Sequence, residues 1–369
     1  MAENTRLLDL FSKVSNKTIT TAVPTPSLNL HKNSRVLLVD MMNVFMRSFS
    51  ATSTHNGYAT HVGGIVGSLS SIASIVKLWR PTKVILCFDG EQGSRNRKYL
   101  YRGYKANRDT GKINNAKVFS SKQEEEGSKN DQITRLIDYL SCLPVTMIVS
   151  DYLEADDIIS HLTRRITKVY KDSRVCIFST DGDYLQLVND RVTVYNPNPS
   201  KRKFYDEQEV LKDYNIHPVN FGLTKALCGD TSDNIPGVTG LGEPTAVKLF
   251  EGLNKPKKLL LEDIYQICKD KPRKSVLYDR ILYVKNAIET YYQIVNLQDI
   301  NISDREAEYV EKLFDGPIPH LDRAAFMEMW KDDRMFDAIP NVHTWLETFS
   351  GVGKYKDTPK EEQGDFEEA

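Results

Sequence analysis

The sequence predicts an α/β fold, in which a mainly parallel central sheet has helices on both faces and is followed by a helical second region. The first observation is an alternation of short β-rich runs with amphipathic helical patterns as far as about residue 205. The second is that the β pattern fades after that point while helical periodicity continues. Strands that alternate with helices form parallel sheets, since each return to the same edge needs a crossover.

The predicted strands are short and rich in branched side chains. In chain order they are RVLLVD (35–40), KVILCFD (83–89), PVTMIV (144–149), RVCIFSTD (174–181) and VTVYNP (192–197). Apolar residues at three- and four-residue spacings predict helices between them, at 63–80, 131–143 and 154–171. The polar run 109–131 has no such spacing, and we expect a mobile insertion there.

These patterns divide the chain of 369 residues into five parts. They are a poorly ordered N-terminal extension (1–33), an α/β core (34–205), a helical region (206–300), a C-terminal helical region (301–351) and an acidic tail (352–369). Within the core, a stretch at about 91–132 begins with many basic residues. A chain of this length can bury a large core and an active site.

The composition excludes several classes of protein. No apolar run approaches the roughly 18 residues of a membrane span. The five cysteines form no CxxC pair, so we expect reduced thiols rather than disulfides or a zinc site. The polar N-terminus lacks the apolar segment of a secretory signal, and a cytoplasmic location is expected. A net charge of −1 excludes a uniformly basic surface but allows local basic patches.

Acidic residues follow the ends of four predicted strands, where parallel sheets bind ligands, and the run CGDTSDNIPG adds two more. The whole set comprises Asp40, Asp89, Glu154, Asp156, Asp157, Asp181, Asp183, Asp230 and Asp233. A single aspartate at a strand end is usually a helix cap, but nine that converge would repel one another unless a cation neutralised them. Hard divalent ions such as Mg²⁺ or Mn²⁺ suit all-oxygen sites, and the seven histidines form no HxxxH or HxH pair that would favour zinc.

A basic segment soon after Asp89 predicts a nucleic-acid-binding surface. In RNRKYLYRGYKANRD (95–109) two kinds of side chain are interleaved, the cations Arg97, Lys98, Arg102, Lys105 and Arg108 and the aromatic residues Tyr99, Tyr101 and Tyr104. Cations bind phosphates and aromatic faces stack on bases, although a solvated charged helix is the alternative.

Three glycines, Gly237, Gly240 and Gly242, precede a helical pattern in IPGVTGLGEPTAVKLF. A tight glycine loop that leads into a helix N-terminus can hold a phosphate through its N–H groups, and a simple turn is the alternative. The position of the loop a few residues after Asp230 and Asp233 favours phosphate binding.

Six motifs, taken in order, resemble those of the 5′ nuclease family. They are VDMMN, CFDG, YKANR, EADD, STDGDYLQLV and GDTSDNIPGVTGLG, and the resemblance covers about residues 35–300. The family includes bacteriophage 5′ exonucleases and flap endonucleases, phage RNase H, and the 5′ nuclease domain of bacterial DNA polymerase I. The resemblance implies a PIN-like nuclease core, a helical arch formed by the basic segment, and a DNA-binding helix–three-turn–helix element in the helical region.

The resemblance also implies a role for each matched residue. The first of two Mg²⁺ ions, which Mn²⁺ can replace, would be held by Asp40, Asp89, Glu154 and Asp156, with Asp157 adjoining. The second would be held by Asp181, Asp183, Asp230 and Asp233. Lys105 and Arg108 would contact the scissile phosphate. The other implied DNA contacts are Arg47, Arg97, Lys98, Arg102, Tyr104, Lys248 and the three glycines, in a loop whose carbonyls hold K⁺ in relatives. Pro244 stands where the family often has a lysine, and proline suits the first turn of a helix.

The implied activity is that of a structure-specific 5′ nuclease of DNA replication or repair, a 5′-3′ exonuclease or flap endonuclease with RNase H activity on RNA primers. A non-catalytic DNA-junction binding protein and a PIN-type single-stranded RNase are the alternatives. The first should have lost carboxylates, and the second would not need the glycine loop. We expect a monomer, in the host cytoplasm if it is phage-encoded. Its C-terminal region is expected to dock a single-strand DNA-binding protein or a sliding clamp, with a solubilising tail as the alternative.

Overall fold

The computed structural model describes residues 31–108, 111–271 and 275–354. The predictions of an unstructured N-terminal extension and an acidic tail fall mostly on residues 1–30 and 355–369, which lie outside the described residues. Within the three described ranges, every helix is too short or too polar to span a membrane. All five cysteines lie in these ranges and are free thiols, as predicted.

A six-stranded sheet forms the centre of the α/β part, in the order β3-β2-β1-β4-β5-β6. Its strands are β1 (Arg35–Asp40), β2 (Lys83–Phe88), β3 (Thr146–Val149), β4 (Arg174–Phe178), β5 (Val192–Asn196) and β6 (Lys203–Tyr205). The first five are parallel, as predicted, whereas β6, which the sequence pattern did not indicate, pairs antiparallel with β5. The chain leaves β1 toward β2 and β3 and later returns to β4 on the other side of β1, so the strand order reverses between β1 and β4. Ligands bind at such a reversal in parallel sheets.

Fourteen α-helices, counted over the described residues, cover and extend the sheet. Those of the α/β part are α1 (Met41–Ala51), α2 (Gly63–Trp79), α3 (Arg95–Leu100), α4 (Lys122–Ser141) and α5 (Ala155–Val169). The helical region contains α6 (Glu207–Tyr214), α7 (Phe221–Cys228), α8 (Glu243–Leu249), α9 (Leu261–Asp270), α10 (Val276–Tyr283) and α11 (Lys285–Val295). The last three are α12 (Asp304–Asp315), α13 (Arg323–Asp332) and α14 (Val342–Glu347).

Alternate residues of the central strands face two separate apolar layers. Leu37 and Val39 of β1 belong to one layer, with residues of α1, α2 and α4, and Val36 and Leu38 belong to the other, with residues of α5. All four side chains are fully buried, which explains why this strand is a continuous apolar run. The helical region packs around a third apolar layer of its own, which Tyr104 of the basic segment joins.

The prediction of a mobile insertion over 109–131 is wrong for the part that forms the start of α4. Just before this helix, the buried Phe119 ring stacks on Phe49 with the centroids 5.4 Å apart. Inside the helix, the buried Glu125 carboxylate accepts a hydrogen bond from the Asn115 N–H at 2.7 Å. The composition concealed this order because most of the segment is polar, and one aromatic ring and one buried carboxylate make the contacts that anchor it.

The C-terminal helix α13 packs on the same apolar layer as α4. Phe326 and Trp330 are buried against the Tyr139 ring, with centroids 5.0 and 5.8 Å away. Asp333 accepts hydrogen bonds from Arg135 Nε at 2.8 Å and from the Tyr139 hydroxyl at 2.6 Å. This region therefore completes the core of the α/β part, and it holds α4 on the side of the sheet away from α5.

Candidate active site

Asp40 lies at the carboxyl end of β1, in the crevice between β1 and β4. One oxygen of its side chain caps α1 by accepting a hydrogen bond from the Asn43 N–H at 3.1 Å. The other oxygen accepts hydrogen bonds from Ser179 Oγ at 3.2 Å and from the Tyr184 hydroxyl at 3.1 Å. The capping role expected of a strand-end aspartate is therefore present, and two further neighbours fix this carboxylate at the mouth of the crevice.

Asp89, which follows β2, meets the EADD motif at the start of α5. Its Oδ1 accepts a hydrogen bond from the Ala155 N–H at 2.8 Å. Glu154 precedes the helix, and its own N–H donates to Asp157 Oδ2 at 3.1 Å. Asp156 lies in the same first turn. Unpaired N–H groups and the positive end of the helix dipole stabilise carboxylates at this position.

Two cations of the basic segment neutralise these acids. The Arg97 guanidinium donates to Glu154 at 2.7 Å and to Asp157 at 2.7 and 3.0 Å. It also donates to Asp156 at 3.2 Å. Lys105 Nζ lies 2.7 Å from the second oxygen of Glu154. The three acids of the EADD motif are thus folded around positive charge.

The second group of acids surrounds the ends of β4 and α7. Asp181 accepts a hydrogen bond from the Asp183 N–H at 2.9 Å. Asp183 and Asp230 share one cation, Lys225 of α7, whose Nζ contacts Asp183 and lies 2.6 Å from Asp230. The sequence prediction missed Lys225. Its place in the last turn of a helix that ends at the acidic loop is the signal that could have identified it.

The YKANR turn is docked on the loop 230–234. Lys105 has a left-handed φ of 56° and donates its N–H to the Asp233 carbonyl at 3.0 Å. Asn107 Nδ2 donates to another carbonyl of the loop at 2.8 Å, and Arg108 Nη2 pairs with the Asp233 carboxylate at 2.7 Å. The YKANR turn and the second acid group are therefore joined directly, a contact that neither motif shows by itself.

Burial raises the pKa of several of these carboxyls. The pKa of Asp40 is raised to about 7 by burial, and the Asp89 and Asp181 carboxylates nearby add to the effect. Burial also raises the pKa of Asp156, although Arg97 opposes it. In the second group, burial raises the pKa of Asp181 against the opposing charge of a lysine. Loss of water thus disfavours the charged form of these groups.

Two other carboxyls are held in the charged form by cations. Burial by itself would raise the pKa of Glu154, but Arg97 and Lys105 keep it below its usual range. Burial would likewise raise the pKa of Asp230, but the charge and hydrogen bond of Lys225 help to lower it to about 2. Positive charge is therefore what keeps these two carboxyls ionised despite their burial.

The donor set is that of a hard divalent cation, because every side chain in it is a carboxylate. Among the described residues, no three Asp, Glu, His or Cys side chains are already arranged as a metal-ligand set. Instead, the Lys225 ammonium and the Arg97 guanidinium stand between the acids. A protein cation thus pairs with the three acids of the EADD motif, and another pairs with Asp183 and Asp230, so the residues present fit a positively charged ligand.

The predicted basic contacts lie around this centre. Lys98, Arg102 and Lys248 are exposed, and the Arg108 side chain is 54% exposed despite its ion pair. Arg47 is half-buried on α1, and its Nε and Nη2 have no hydrogen-bond partner among the described residues. The four exposed side chains can therefore offer hydrogen-bond donors to a phosphate, whereas the two unpartnered nitrogens of Arg47 are buried beneath the surface.

The predicted glycine loop is present. Gly237 and Gly240 have φ values of 60° and 86°, in the left-handed region that favours glycine, and Gly242 directly precedes α8. A Cβ at Gly237 would lie 2.2 Å from the Gly229 backbone nitrogen, so the loop folds tightly on the end of α7. Pro244 occupies the first turn of α8, as predicted.

Two of the predicted DNA contacts require correction. Tyr104 is 1% exposed and its hydroxyl donates to Glu154 at 2.8 Å, so its ring cannot stack on a base. Arg97 is also buried, and all three of its nitrogens donate within the protein, so it does not face a phosphate. Tyr101 is half-buried, whereas Tyr99 is 89% exposed. Composition predicted the basic and aromatic surface, but it could not predict which members of the segment face inward.

Carboxylates at the strand reversal of a parallel sheet, with exposed basic groups nearby, form the kind of site at which divalent metal ions promote the cleavage of phosphodiester bonds. Residues 35–215 match the family model described as 5′-3′ exonuclease, N-terminal resolvase-like domain. The 5′-3′ exonuclease of Bacillus subtilis strain 168 is 30% identical over 236 residues, which are 62% of this chain and 73% of that protein. The 5′-3′ exonuclease of Aquifex aeolicus strain VF5 is 27% identical over 275 residues, 73% of this chain and 84% of that protein. The chain belongs to the 5′-3′ exonuclease family.

Other similarities agree with this assignment. DNA polymerase I of Bacillus subtilis strain 168 is 28% identical over 232 residues, which are 62% of this chain and 24% of that protein. Among solved structures, T5 5′-exonuclease with bound zinc has a TM-score of 0.58 at 18% identity and covers 83% of this chain and 100% of its own. The bacteriophage T5 D15 flap endonuclease, in a pseudo-enzyme–product complex with DNA and metal ions, has a TM-score of 0.57 at 18% identity, with 81% and 99% covered. The predicted fold, family resemblance and nuclease class are confirmed.

Proposed function

We propose that this nuclease hydrolyses phosphodiester bonds near the 5′ end of duplex, flapped or RNA-primed DNA, with divalent metal ions as its cofactor. The observation that carries the proposal is the convergence of acids from the ends of β1, β2, β3 and β4 on one crevice, beside the exposed cation Arg108. T5 proteins of the same fold are described with divalent metal ions, and one of them with DNA. The all-oxygen donor set favours Mg²⁺, with Mn²⁺ as a substitute.

The carboxylates would hold the metal as two groups. The first comprises Asp40, Asp89, Glu154, Asp156 and Asp157, and the second comprises Asp181, Asp183, Asp230 and Asp233. When bound, the ions would lower the pKa of the attacking water and neutralise charge on the phosphate. Asp40 is oriented by three hydrogen bonds before any ligand arrives, so the protein holds this donor in place at little further cost in conformational entropy.

Lys105 and Arg108 would stabilise the charge that develops on the phosphoryl oxygens. The backbone of Lys105 is fixed by its hydrogen bond to the Asp233 carbonyl, which keeps its ammonium group beside Glu154. Arg108 is bonded to the same loop but remains more than half exposed. Lys105 is thus held beside the carboxylates, and Arg108 is exposed where it can contact a substrate at the edge of the crevice.

The surface around the centre supports binding of both single-stranded and duplex DNA. On α3, exposed Tyr99 lies next to exposed Lys98, a combination that binds a base and a phosphate of an unpaired strand. The glycine loop and Lys248 of α8 offer backbone N–H groups and a cation to a duplex. A single-stranded RNase would need only the first of these surfaces.

We also propose that K⁺ binds the carbonyls of the glycine loop. One of these carbonyls, that of Thr239, already accepts a hydrogen bond from Arg280 Nη1 at 3.0 Å, so K⁺ would use the remaining ones. Duplex binding should then be tighter in KCl than in NaCl at equal ionic strength. Equal affinities in the two salts would leave Arg280 as the cation of this loop.

The experiment that tests the proposed function is cleavage of a 5′-labelled flap DNA, with and without Mg²⁺. Wild-type protein should release short 5′ products only with the metal, whereas Asp183→Asn should bind the flap and leave it intact. Asp138→Asn, at an exposed carboxylate of α4, is the matched control and should cleave normally. Full cleavage by Asp183→Asn would remove that residue from the centre.

The outcome also separates the alternative functions. Tight binding of the flap without cleavage in Mg²⁺ or Mn²⁺ would favour a non-catalytic junction-binding protein. Cleavage of single-stranded RNA in preference to the flap would favour a PIN-type RNase. Hydrolysis of the RNA strand of an RNA–DNA hybrid would add RNase H activity to the proposed function.

The location, the oligomeric state and the protein partners are further proposals. We propose a cytoplasmic monomer whose C-terminus binds a single-strand DNA-binding protein or a sliding clamp. A truncation after residue 354 keeps the buried Val352 and removes the acidic end. Equal capture of these two partners by the full chain and the truncated chain would contradict the docking proposal, and sedimentation velocity would test the monomer.

A further inference from the structure

Lys225 is enclosed by the second group of acids. Its side chain is 14% exposed, and those of Asp183 and Asp230 are 10% and 7% exposed. Asp183 comes from the segment that follows β4, and Asp230 follows α7, so the ammonium group joins two parts of the chain that are distant in sequence. The partners of Lys225 Nζ are these two carboxylates.

The Asp230 carboxylate is oriented by its own loop as well as by Lys225. Asp230 Oδ1 accepts hydrogen bonds from the Ser232 N–H at 2.8 Å and from Ser232 Oγ at 2.6 Å. Its Oδ2, which faces Lys225, is therefore aimed by the loop as well as by the lysine. If Lys225 left, Asp230 would keep its direction and present that oxygen to another cation.

The cation of the first group is held differently. Arg97 donates through Nη1 and Nη2 to the EADD carboxylates and through Nε to the Ile294 carbonyl at 3.1 Å, so a backbone group fixes it as well. Lys225 has a flexible four-carbon side chain, and both of its bonds are to carboxylates. Moving Lys225 out would thus cost less than moving Arg97, and a cation that replaced it would satisfy both carboxylates.

We propose that Lys225 is a positioning residue that serves as an exchangeable counter-ion of the second acid group. Its ammonium group keeps Asp183 and Asp230 together in the metal-free protein and leaves its place between them when a divalent cation binds. Lys225 thereby sets the metal concentration at which this group is filled. The inference rests on the proposed function, because it concerns the same metal-dependent centre.

A purely structural ion pair would behave in the opposite way. If Lys225 only held the fold together, its removal would loosen the acids and weaken metal binding. If it exchanges with the metal, its removal abolishes a competitor and makes the net charge of the acid group more negative by one unit, so metal binding becomes tighter. One unit charge at a few ångströms from a divalent ion is enough to change affinity by about tenfold or more.

The test is a titration of chelator-stripped full-length protein with Mn²⁺ in the absence of nucleic acid, with free Mn²⁺ measured by electron paramagnetic resonance. Lys225→Met should bind Mn²⁺ about tenfold more tightly than wild type. Lys225→Arg, which keeps the charge and can bind both carboxylates with two nitrogens, should bind Mn²⁺ no more tightly than wild type. Lys212→Met removes a lysine that pairs with Glu209 outside the centre and should leave Mn²⁺ affinity unchanged.

Thermal unfolding supplies a second measurement that does not depend on activity. In a chelator, Lys225→Met should unfold at a lower temperature than wild type, and saturating Mn²⁺ should close the gap. Unchanged or weaker Mn²⁺ affinity of Lys225→Met would overturn the inference. Should this variant fail to fold without metal, tighter Mn²⁺ binding by Lys225→Arg than by wild type would overturn it.

Failure of this inference and failure of the proposed function give different results. If the wild-type protein cleaves flap DNA but Lys225→Met binds Mn²⁺ as the wild type does, the exchange of Lys225 is overturned and the proposed function stands. If removal of Lys225 raises the Mn²⁺ affinity but the wild-type protein cleaves no flap DNA, the proposed function is overturned and the exchange of Lys225 stands.

Discussion

Tyr99 is the residue where the proposed surface for an unpaired strand is most accessible. Its ring projects from α3 with 89% of the residue exposed. Because stacking on one base contributes about 1–3 kcal/mol, Tyr99→Ala should weaken binding of a flap by about 5- to 150-fold, while Tyr99→Phe should retain it. Fluorescence anisotropy in the Asp183→Asn background measures binding without cleavage.

A remote tyrosine provides the control for this prediction. Tyr309 on α12 is 46% exposed and lies among acidic residues of that helix, so Tyr309→Ala should bind the flap like wild type. Binding of a blunt duplex, which has no unpaired base, should change little in either variant. An equal loss for flap and blunt duplex would show that Tyr99 does not act by stacking.

Lys83 provides a pH prediction from the opposite end of the sheet. It is fully buried at the start of β2, where its Nζ contacts the Phe314 carbonyl and lies 4.3 Å from the centre of the Phe314 ring. Burial, together with the charge of Lys32, lowers its pKa from 10.5 to about 8. Between these two pH values the unfolded chain binds more protons than the folded protein, so stability should rise with pH across this window.

The pKa shift of Lys83 sets the size of the increase in the free energy of unfolding, which is on the order of 3 kcal/mol. Urea unfolding at a series of pH values from 7.5 to 10 would measure it, with Lys83→Met as the comparison. The variant lacks the titrating group, so the free energy of unfolding of wild type should gain on that of Lys83→Met as the pH rises. Parallel pH curves would contradict the prediction.

At the scale of elements, α13 is predicted to be essential for the fold although it lies outside the resemblance. Trp330 is buried against Tyr139 and Phe326, so Trp330→Ala should lower the free energy of unfolding by about 3–5 kcal/mol. Phe336→Ala, at a ring that is 62% exposed, should change it by less than about 0.5 kcal/mol. Chemical denaturation of both variants is the measurement, and equal stabilities would contradict the packing of α13.

The elements that the sequence predicted well are those whose signal is local. Strands β1 to β5 are apolar runs, and an acid ends or closely follows four of them, so the runs and the acids at the sheet edge could be identified without long-range information. Strand β6 has three residues, too few for an alternating pattern. The first half of α4 was missed because its contacts to the rest of the protein are made by polar side chains such as Glu125.

The sequence predicted which residues belong to the candidate site, but it did not predict which of them contact one another. Asp183 and Asp230 were identified from motifs, whereas their shared partner Lys225 depends on the packing of α7 against the β4 edge. Tyr104 and Tyr99 look equivalent in sequence, yet one is buried under Glu154 and the other is exposed. Partners distant in sequence and the direction of a side chain on a short helix are set by tertiary packing, which a local pattern does not contain.

At the scale of the whole molecule, charge is distributed unevenly. The net charge is −1, yet the exposed side chains placed to meet phosphates are all basic: Lys98, Arg102, Arg108 and Lys248. Neutralising about four phosphates predicts a slope of about −3.5 to −4 when the logarithm of the binding constant is plotted against the logarithm of salt concentration. Binding titrations of duplex DNA at several salt concentrations would measure it.

A single substitution tests whether the slope comes from these residues. Lys98→Met should make the slope less steep by about one, with a similar loss of affinity on unrelated sequences. Lys212→Met, at an exposed lysine of α6, should leave it unchanged. A slope near zero in the wild type would show that the negative charge of the whole molecule outweighs the basic surface.

The apolar layer that joins β1 to the C-terminal helices also determines when this part of the protein can fold during translation. Leu37 and Val39 share that layer with Phe349 and Val352, so a ribosome must translate the chain as far as Val352 before this side of the sheet can close. At ordinary rates of translation the early strands wait roughly 15–60 s with one face uncovered. Truncations that reach this layer should therefore appear first as aggregation and low yield during synthesis, before the chemistry of the acidic crevice is affected.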